Sequence, residues 1–195
     1  ALENSVGPTV IDPAGIILVA WDLRAGLVSS SVTSIDLSGH DITNAGSDMS
    51  GVEALAAALS TNMSVTKLNL LGTSIGEAGY DMLVAAAEQS GIVTLCGFEE
   101  GQTEADLLGK SLGAVDAKLI ARDLESGMIS TSITKLNIWG NDIGVDGATA
   151  IVNAAPAQMR TLCGDMFEAG QTEAKLSGGV LEEGMKVEAN YKGKG

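Results

Sequence analysis

Two apolar residues separated by one other residue, with a third apolar residue five positions later, recur along this chain. The first copy is Ile35-x-Leu37-x4-Ile42. The same register holds in Leu68-x-Leu70-x4-Ile75, Ala105-x-Leu107-x4-Leu112, Leu136-x-Ile138-x4-Ile143 and Ala174-x-Leu176-x4-Leu181. Alternation with a period of two predicts a short strand with one buried face. The surrounding phrase repeats as well. Val32-Thr33-Ser34-Ile35-Asp36-Leu37-Ser38-Gly39 returns as Val65-Thr66-Lys67-Leu68-Asn69-Leu70-Leu71-Gly72 and as Ile133-Thr134-Lys135-Leu136-Asn137-Ile138-Trp139-Gly140.

Between the copies the apolar spacing becomes helical. Residues 51–60 carry Val52, Leu55 and Leu59; residues 78–89 carry Met82, Leu83 and Ala86. Residues 114–125 carry Leu119, Ile120 and Leu124; residues 146–155 carry Ile151 and Val152. Residues 13–25 match the third of these helices, with Ala20-Trp21-Asp22-Leu23 aligned on Ala121-Arg122-Asp123-Leu124. A unit of this size cannot bury its own core and stacks on its neighbours, with atypical capping units at the ends. The pattern therefore predicts one array over residues 1–183, of about five units, with 13–25 as its N-terminal capping helix. Residues 184–195 lack periodicity and read as a tail. The expected class is α/β: a right-handed solenoid with a short parallel sheet on the concave face and helices on the convex face.

A longer period overlies the first. Thr94-Leu95-Cys96-Gly97, then Gly101-Gln102-Thr103-Glu104-Ala105, recurs as Thr161-Leu162-Cys163-Gly164, then Gly170-Gln171-Thr172-Glu173-Ala174. Leu95 and Leu162 either start the main strands or form a separate edge; the pattern leaves both open.

The units resemble leucine-rich repeats of the ribonuclease-inhibitor type. Residues 133–143 fit the pattern L-x-x-L-x-L-x-x-N-x-L, with Asn141 at the Asn position. The other copies hold His40, Thr73, Lys110 and Gly179 there, so a continuous asparagine ladder is absent and that turn must satisfy its backbone otherwise. The Thr-Leu-Cys-Gly and Gly-Gln-Thr-Glu-Ala phrases resemble those in repeat proteins of photosynthetic protists. That resemblance implies a chloroplast, thylakoid-associated location for a processed mature chain, with the cytoplasm as the alternative. The chain begins at Ala1, which fits either processing or a choice of segment.

Composition narrows the function classes. Aromatic residues make up 3% of the chain, so the core must be aliphatic. A net charge of −14 disfavours nucleic-acid phosphate and anionic lipid as partners. The best apolar run, 14–23, is interrupted at Asp22 and falls short of the ~20 residues a spanning helix needs. Cys96 and Cys163, at equivalent places in separated units, read as free thiols. His40 has no nucleophile or second ligand nearby and reads as a turn residue. Gly109-Lys110-Ser111 has Glu104 where a phosphate-binding loop needs its first glycine. Asn62-Met63-Ser64 is a glycosylation triplet that matters only in a secreted chain. The carboxylate pairs Glu99-Glu100 and Glu182-Glu183 are adjacent, unlike an acid/base pair. The reading is of no enzyme, no cofactor and no metal.

If Ile35 and Leu37 point inward, their neighbours point out. Stacking the copies gives a row of Ser34, Lys67, Glu104, Lys135 and Glu173, which alternates in sign from Lys67 on. A second row holds Asp36, Asn69, Asp106, Asn137 and Lys175. A third holds Ser38, Leu71, Leu108, Trp139 and Ser177, placing three apolar side chains on successive strands. An apolar stripe on a wet face suggests a contact site. The expected partner-binding residues are Leu71, Leu108, Trp139, Lys67, Lys135 and Asp106. The expected function is non-catalytic protein binding, as a scaffold or accessory subunit of a larger, photosynthetic assembly, peripheral to a membrane complex. The alternative is a recognition module for a peptide or glycan.

Overall fold

The computed structural model describes residues 10–25, 32–126 and 132–163. In chain order they form α1 (Pro13–Arg24), β1 (Ser34–Asp36), α2 (Ser50–Leu59), β2 (Lys67–Asn69), α3 (Gly76–Ser90), β3 (Glu104–Asp106), α4 (Ala114–Glu125), β4 (Lys135–Asn137) and α5 (Gly144–Ala154). All five expected helices are present with small shifts at their ends. Local chemistry sets those ends. Asp12 caps α1 by accepting from the Gly15 N–H at 2.8 Å, and Pro13 follows at the first helical position. α3 stops at Gly91, whose φ of +77° ends the helix in the left-handed conformation. Each strand phrase closes on a glycine with positive φ: Gly39, Gly72, Gly109 and Gly140. That is why the phrase keeps a glycine there.

The strands are parallel, as expected, but they do not form one sheet. β1 pairs with β2 in the register Ile35↔Leu68, and β3 pairs with β4 in the register Ala105↔Leu136. The position beside β2 that the apolar register gave to β3 is taken by residues 94–96. The Leu68 N–H donates to the Thr94 carbonyl at 3.0 Å, and the Leu70 N–H to the Leu95 carbonyl at 2.9 Å. Thr161 and Cys163 sit beside β4 in the same way. The ambiguity over Leu95 and Leu162 is thus resolved: each belongs to the third rung of a three-rung set, and β3 opens a second set. The unit expected at 174 and the tail at 184–195 lie outside the described residues.

The result is an α/β repeat with an aliphatic core running through both sets. Leu37, Leu68, Leu70, Leu95, Leu112, Leu119 and Leu136 are all fully buried. Ile35 is only half-buried. It lies on β1, which among the described residues pairs with β2 alone. Each helix packs on the next, α1 on α2, α2 on α3, α3 on α4 and α4 on α5. The Asn position is filled differently in each described copy. Asn141 donates to the Leu107 and Ile138 carbonyls, both at 2.8 Å, and accepts from the Leu112 N–H. Thr73 donates its hydroxyl to the Leu70 carbonyl at 2.6 Å. His40 Nδ1 accepts from the Ile11 N–H at 3.2 Å, tying the turn to the start of α1. Lys110 is exposed.

Candidate protein-binding surface

Two residues past the Asp106↔Asn137 pair, the register brings Leu108 level with Trp139. The Gly109 N–H donates to the Trp139 carbonyl at 3.0 Å and locks that alignment. Leu108 is 52% exposed and Trp139 is half-buried. An apolar pair therefore stands at the ends of two adjacent strands. Lys135 Nζ lies 3.1 Å from Glu104 Oε1 on the neighbouring strand, the cross-strand charge pairing expected there.

Leu71 does not belong to this surface, contrary to the expected stripe. It is 6% exposed. The stripe assumed that β2, β3 and β4 were successive strands, and β3 instead begins a second sheet. The loop after β2 is drawn onto the start of α4, where the Gly72 N–H donates to Asp116 Oδ1 at 2.7 Å. Leu71 lies next to that joint, and it lines a groove of ≈ 580 Å³ with Leu107 and Leu112. The same correction moves Lys67. It lies between Ser34 and Thr94, not beside Glu104, and it forms an ion pair with Glu99.

Asp106 is exposed, but its carboxylate already works within the fold. Oδ1 accepts from the Leu108 N–H at 3.2 Å and from Asn137 Nδ2 at 3.0 Å. Asp36, Asn69 and Asn137 make the same turn bond to Ser38, Leu71 and Trp139. The Asp/Asn row shapes the strand ends, and the residues it positions vary.

The apolar pattern of the sequence does not single out Asp123. It is a fully buried carboxylate on α4. It accepts from the Thr94 hydroxyl at 2.6 Å and from the Leu95 and Cys96 N–H groups at 2.9 Å. Arg122 lies 2.9 Å from its other oxygen. This cluster joins the two three-rung sets, and its carboxylate is closed to solvent, so it holds structure rather than substrate. Burial and the Asp123 charge push the Cys96 thiol well up, which makes it a poor nucleophile. Cys163 is free too, half-buried, and pushed up by burial alone. The Asn62 amide is also engaged, accepting from the Ser64 and Val65 N–H groups and reaching the Leu23 carbonyl. Among the described residues no group of three or more His, Cys, Asp or Glu could hold a metal ion, and no helix is long and apolar enough to cross a membrane.

A family model described as Leucine Rich repeat matches residues 28–47 and 130–152, which contain β1 and β4 with their turns. These two segments match leucine-rich repeats. No curated protein matches it. The second leucine-rich match contains both Trp139 and Asn141, so the residue fixing the turn and the residue presented by it belong to one repeat. Leucine-rich repeat domains generally mediate protein–protein interaction.

Proposed function

We propose that this chain is a non-catalytic protein-binding module, a leucine-rich repeat solenoid serving as a scaffold or accessory subunit. The observation that carries the reading is the Leu108–Trp139 pair, presented at the ends of β3 and β4 above a fixed Asp106–Asn137 frame. Aromatic anchors of this kind account for much of the energy of protein interfaces. The acidic chain fits a partner with a basic rim, which would speed encounter at low salt. The resemblance of its phrases to those of photosynthetic protists supports a chloroplast complex as the setting.

The test begins with co-fractionation of the native protein from chloroplast and cytoplasmic extracts. Recovery in fixed stoichiometry with a larger assembly is the expected result. The complex is then rebuilt from purified components with Leu108→Ser, Trp139→Ala chain in place of the native one. A loss of affinity of about tenfold or more is expected, the scale of an interface anchor. Unchanged affinity in a folded variant would exclude this surface.

A further inference from the structure

The helix α1 and the helix α4 share a sequence register but not an environment. Leu18 aligns with Leu119, and Asp22 with Asp123. Leu119 and Asp123 are fully buried, whereas Leu18 is 69% exposed and Asp22 is exposed. Trp21 and Ile17, in the places of Arg122 and Lys118, are exposed as well. The face that α4 buries is therefore open on α1, and it is apolar.

The structure shows what covers that face on α4. Lys118 Nζ pairs with Glu77 of α3 at 2.6 Å. Arg122 reaches the Ile92 and Val93 carbonyls, and Asp123 holds the 94–96 rung. The cover is thus a helix followed by a Thr-Leu-Cys-Gly rung. A second such unit exists in the chain: α5 followed by residues 161–163. Its register on α3 aligns Val145 with Glu77, Ala148 with Tyr80 and Val152 with Val84. Val84 is half-buried against the core, whereas Val152 is 60% exposed and Val145 is 79% exposed. Leu95 and Cys96 are buried, whereas Leu162 and Cys163 are half-buried.

The substitutions at the two open faces are matched. The interior joint sets Glu77 against Lys118, and the corresponding end residues are Val145 and Ile17, with both charges replaced by apolar groups. The interior sets Tyr80 in the field of Lys118 and Arg122. The corresponding residues are Ala148 and Trp21, a small side chain facing a large one.

We infer that the chain self-associates head to tail, the α1 face of one copy seating on α5 and the Leu162–Cys163 rung of the next, as α4 seats on α3 and the Leu95–Cys96 rung. Ile17 meets Val145, Trp21 fills the space above Ala148, and the Asp22 carboxylate meets the backbone of the rung. The interface is heterologous, because the two faces differ, so it propagates instead of closing on a two-fold axis. Counted on from the second rung, the places of α4 fall on residues 183–192, an aperiodic stretch with Glu188 and Lys192 where Leu119 and Asp123 stand. They supply neither the leucine nor the carboxylate, whereas α1 supplies both.

Sedimentation velocity of the full 195-residue chain across a concentration series tests this. The native chain should form species larger than a monomer as concentration rises. A head variant, Leu18→Asp with Trp21→Asp, and a tail variant, Val145→Asp with Val152→Asp, should each sediment as monomers. Mixed in equal amounts they should form a dimer and nothing larger, because the mixture keeps one intact head and one intact tail. That recovery also shows that both variants are folded. A double variant, Ile17→Lys with Val145→Glu, copies the interior ion pair and should still associate. A native chain that stays monomeric throughout would overturn the inference and leave the faces to residues 183–192 or to a different protein. Self-association by the head variant alone would also overturn it, since it would mark an interface that does not use α1.

Discussion

The Thr94 hydroxyl donates to Asp123 Oδ2 at 2.6 Å, and both residues are fully buried. They are 29 residues apart in sequence and belong to different three-rung sets. The bond is one of several that converge on α4, alongside the Gly72–Asp116 and Glu77–Lys118 contacts. α4 is thus the element that converts two short sheets into one body. Removing its carboxylate leaves the Leu95 N–H and the Thr94 hydroxyl without their acceptor, and takes one acceptor each from the Cys96 N–H and the Arg122 guanidinium. Asp123→Ala should therefore cost about 3–5 kcal/mol, the range for breaking a buried pair from one side. Thr94→Val removes one donor to Asp123 and the hydroxyl that accepts from the Cys96 and Phe98 N–H groups, and should cost about 1–3 kcal/mol. Urea unfolding followed by circular dichroism measures both. A loss for Asp123→Ala below that for Thr94→Val would show that the carboxylate is not the centre of the joint.

How much of this could be read from the sequence follows from what periodicity encodes. Alternation at Leu68 and Leu70 and helical spacing at Leu119, Ile120 and Leu124 report which side faces the core, and those positions are buried as expected. Periodicity does not say which strand neighbours which. β2 could pair with β3 or with residues 94–96 under the same apolar pattern, and the backbone chose the latter. Every error at the candidate site comes from that one choice: Leu71 left the surface and Lys67 found Glu99 in place of Glu104. The signal for the correct answer was present in the longer period, which repeats Thr-Leu-Cys-Gly as a unit separate from the strand phrase. Asp22 repeats Asp123, but Asp123 is one of five charged residues in α4, and such a residue reads as solvated until its partners are known.

Close packing of α5 on α4 depends on Gly147. A Cβ added there would lie 2.8 Å from the Ala117 Cβ and 3.3 Å from the Ile143 Cβ. Both helices would have to separate, and overpacking of this kind costs about 1–3 kcal/mol. Gly147→Ala should lower the unfolding free energy by that amount in urea titration. Ala117→Gly in the same chain removes the atom in conflict, so the double variant should lose less than the two single losses added together. Strict additivity would show that the two residues do not meet.

Alkaline stability follows from the Cys96 thiol. Burial, with the Asp123 charge beside it, raises its pKa well above the usual thiol value. The unfolded chain ionises Cys96 near an ordinary thiol pKa of about 8.5, while the folded chain keeps it protonated. Deprotonation therefore favours the unfolded state. The contribution of this group to stability is fully present below that unfolded value and is lost as pH rises toward the folded one. Unfolding free energy should decline from about pH 8.5 upward, and Cys96→Ala should flatten the decline while lowering stability at neutral pH. Burial raises Tyr80 as well, so a residual slope should persist nearer pH 10 in the variant. In the native chain at pH 8, a thiol reagent should label Cys163 well before Cys96, because only Cys96 is fully enclosed. Equal labelling rates, or an alkaline slope unchanged by Cys96→Ala, would contradict the burial of that thiol at the joint.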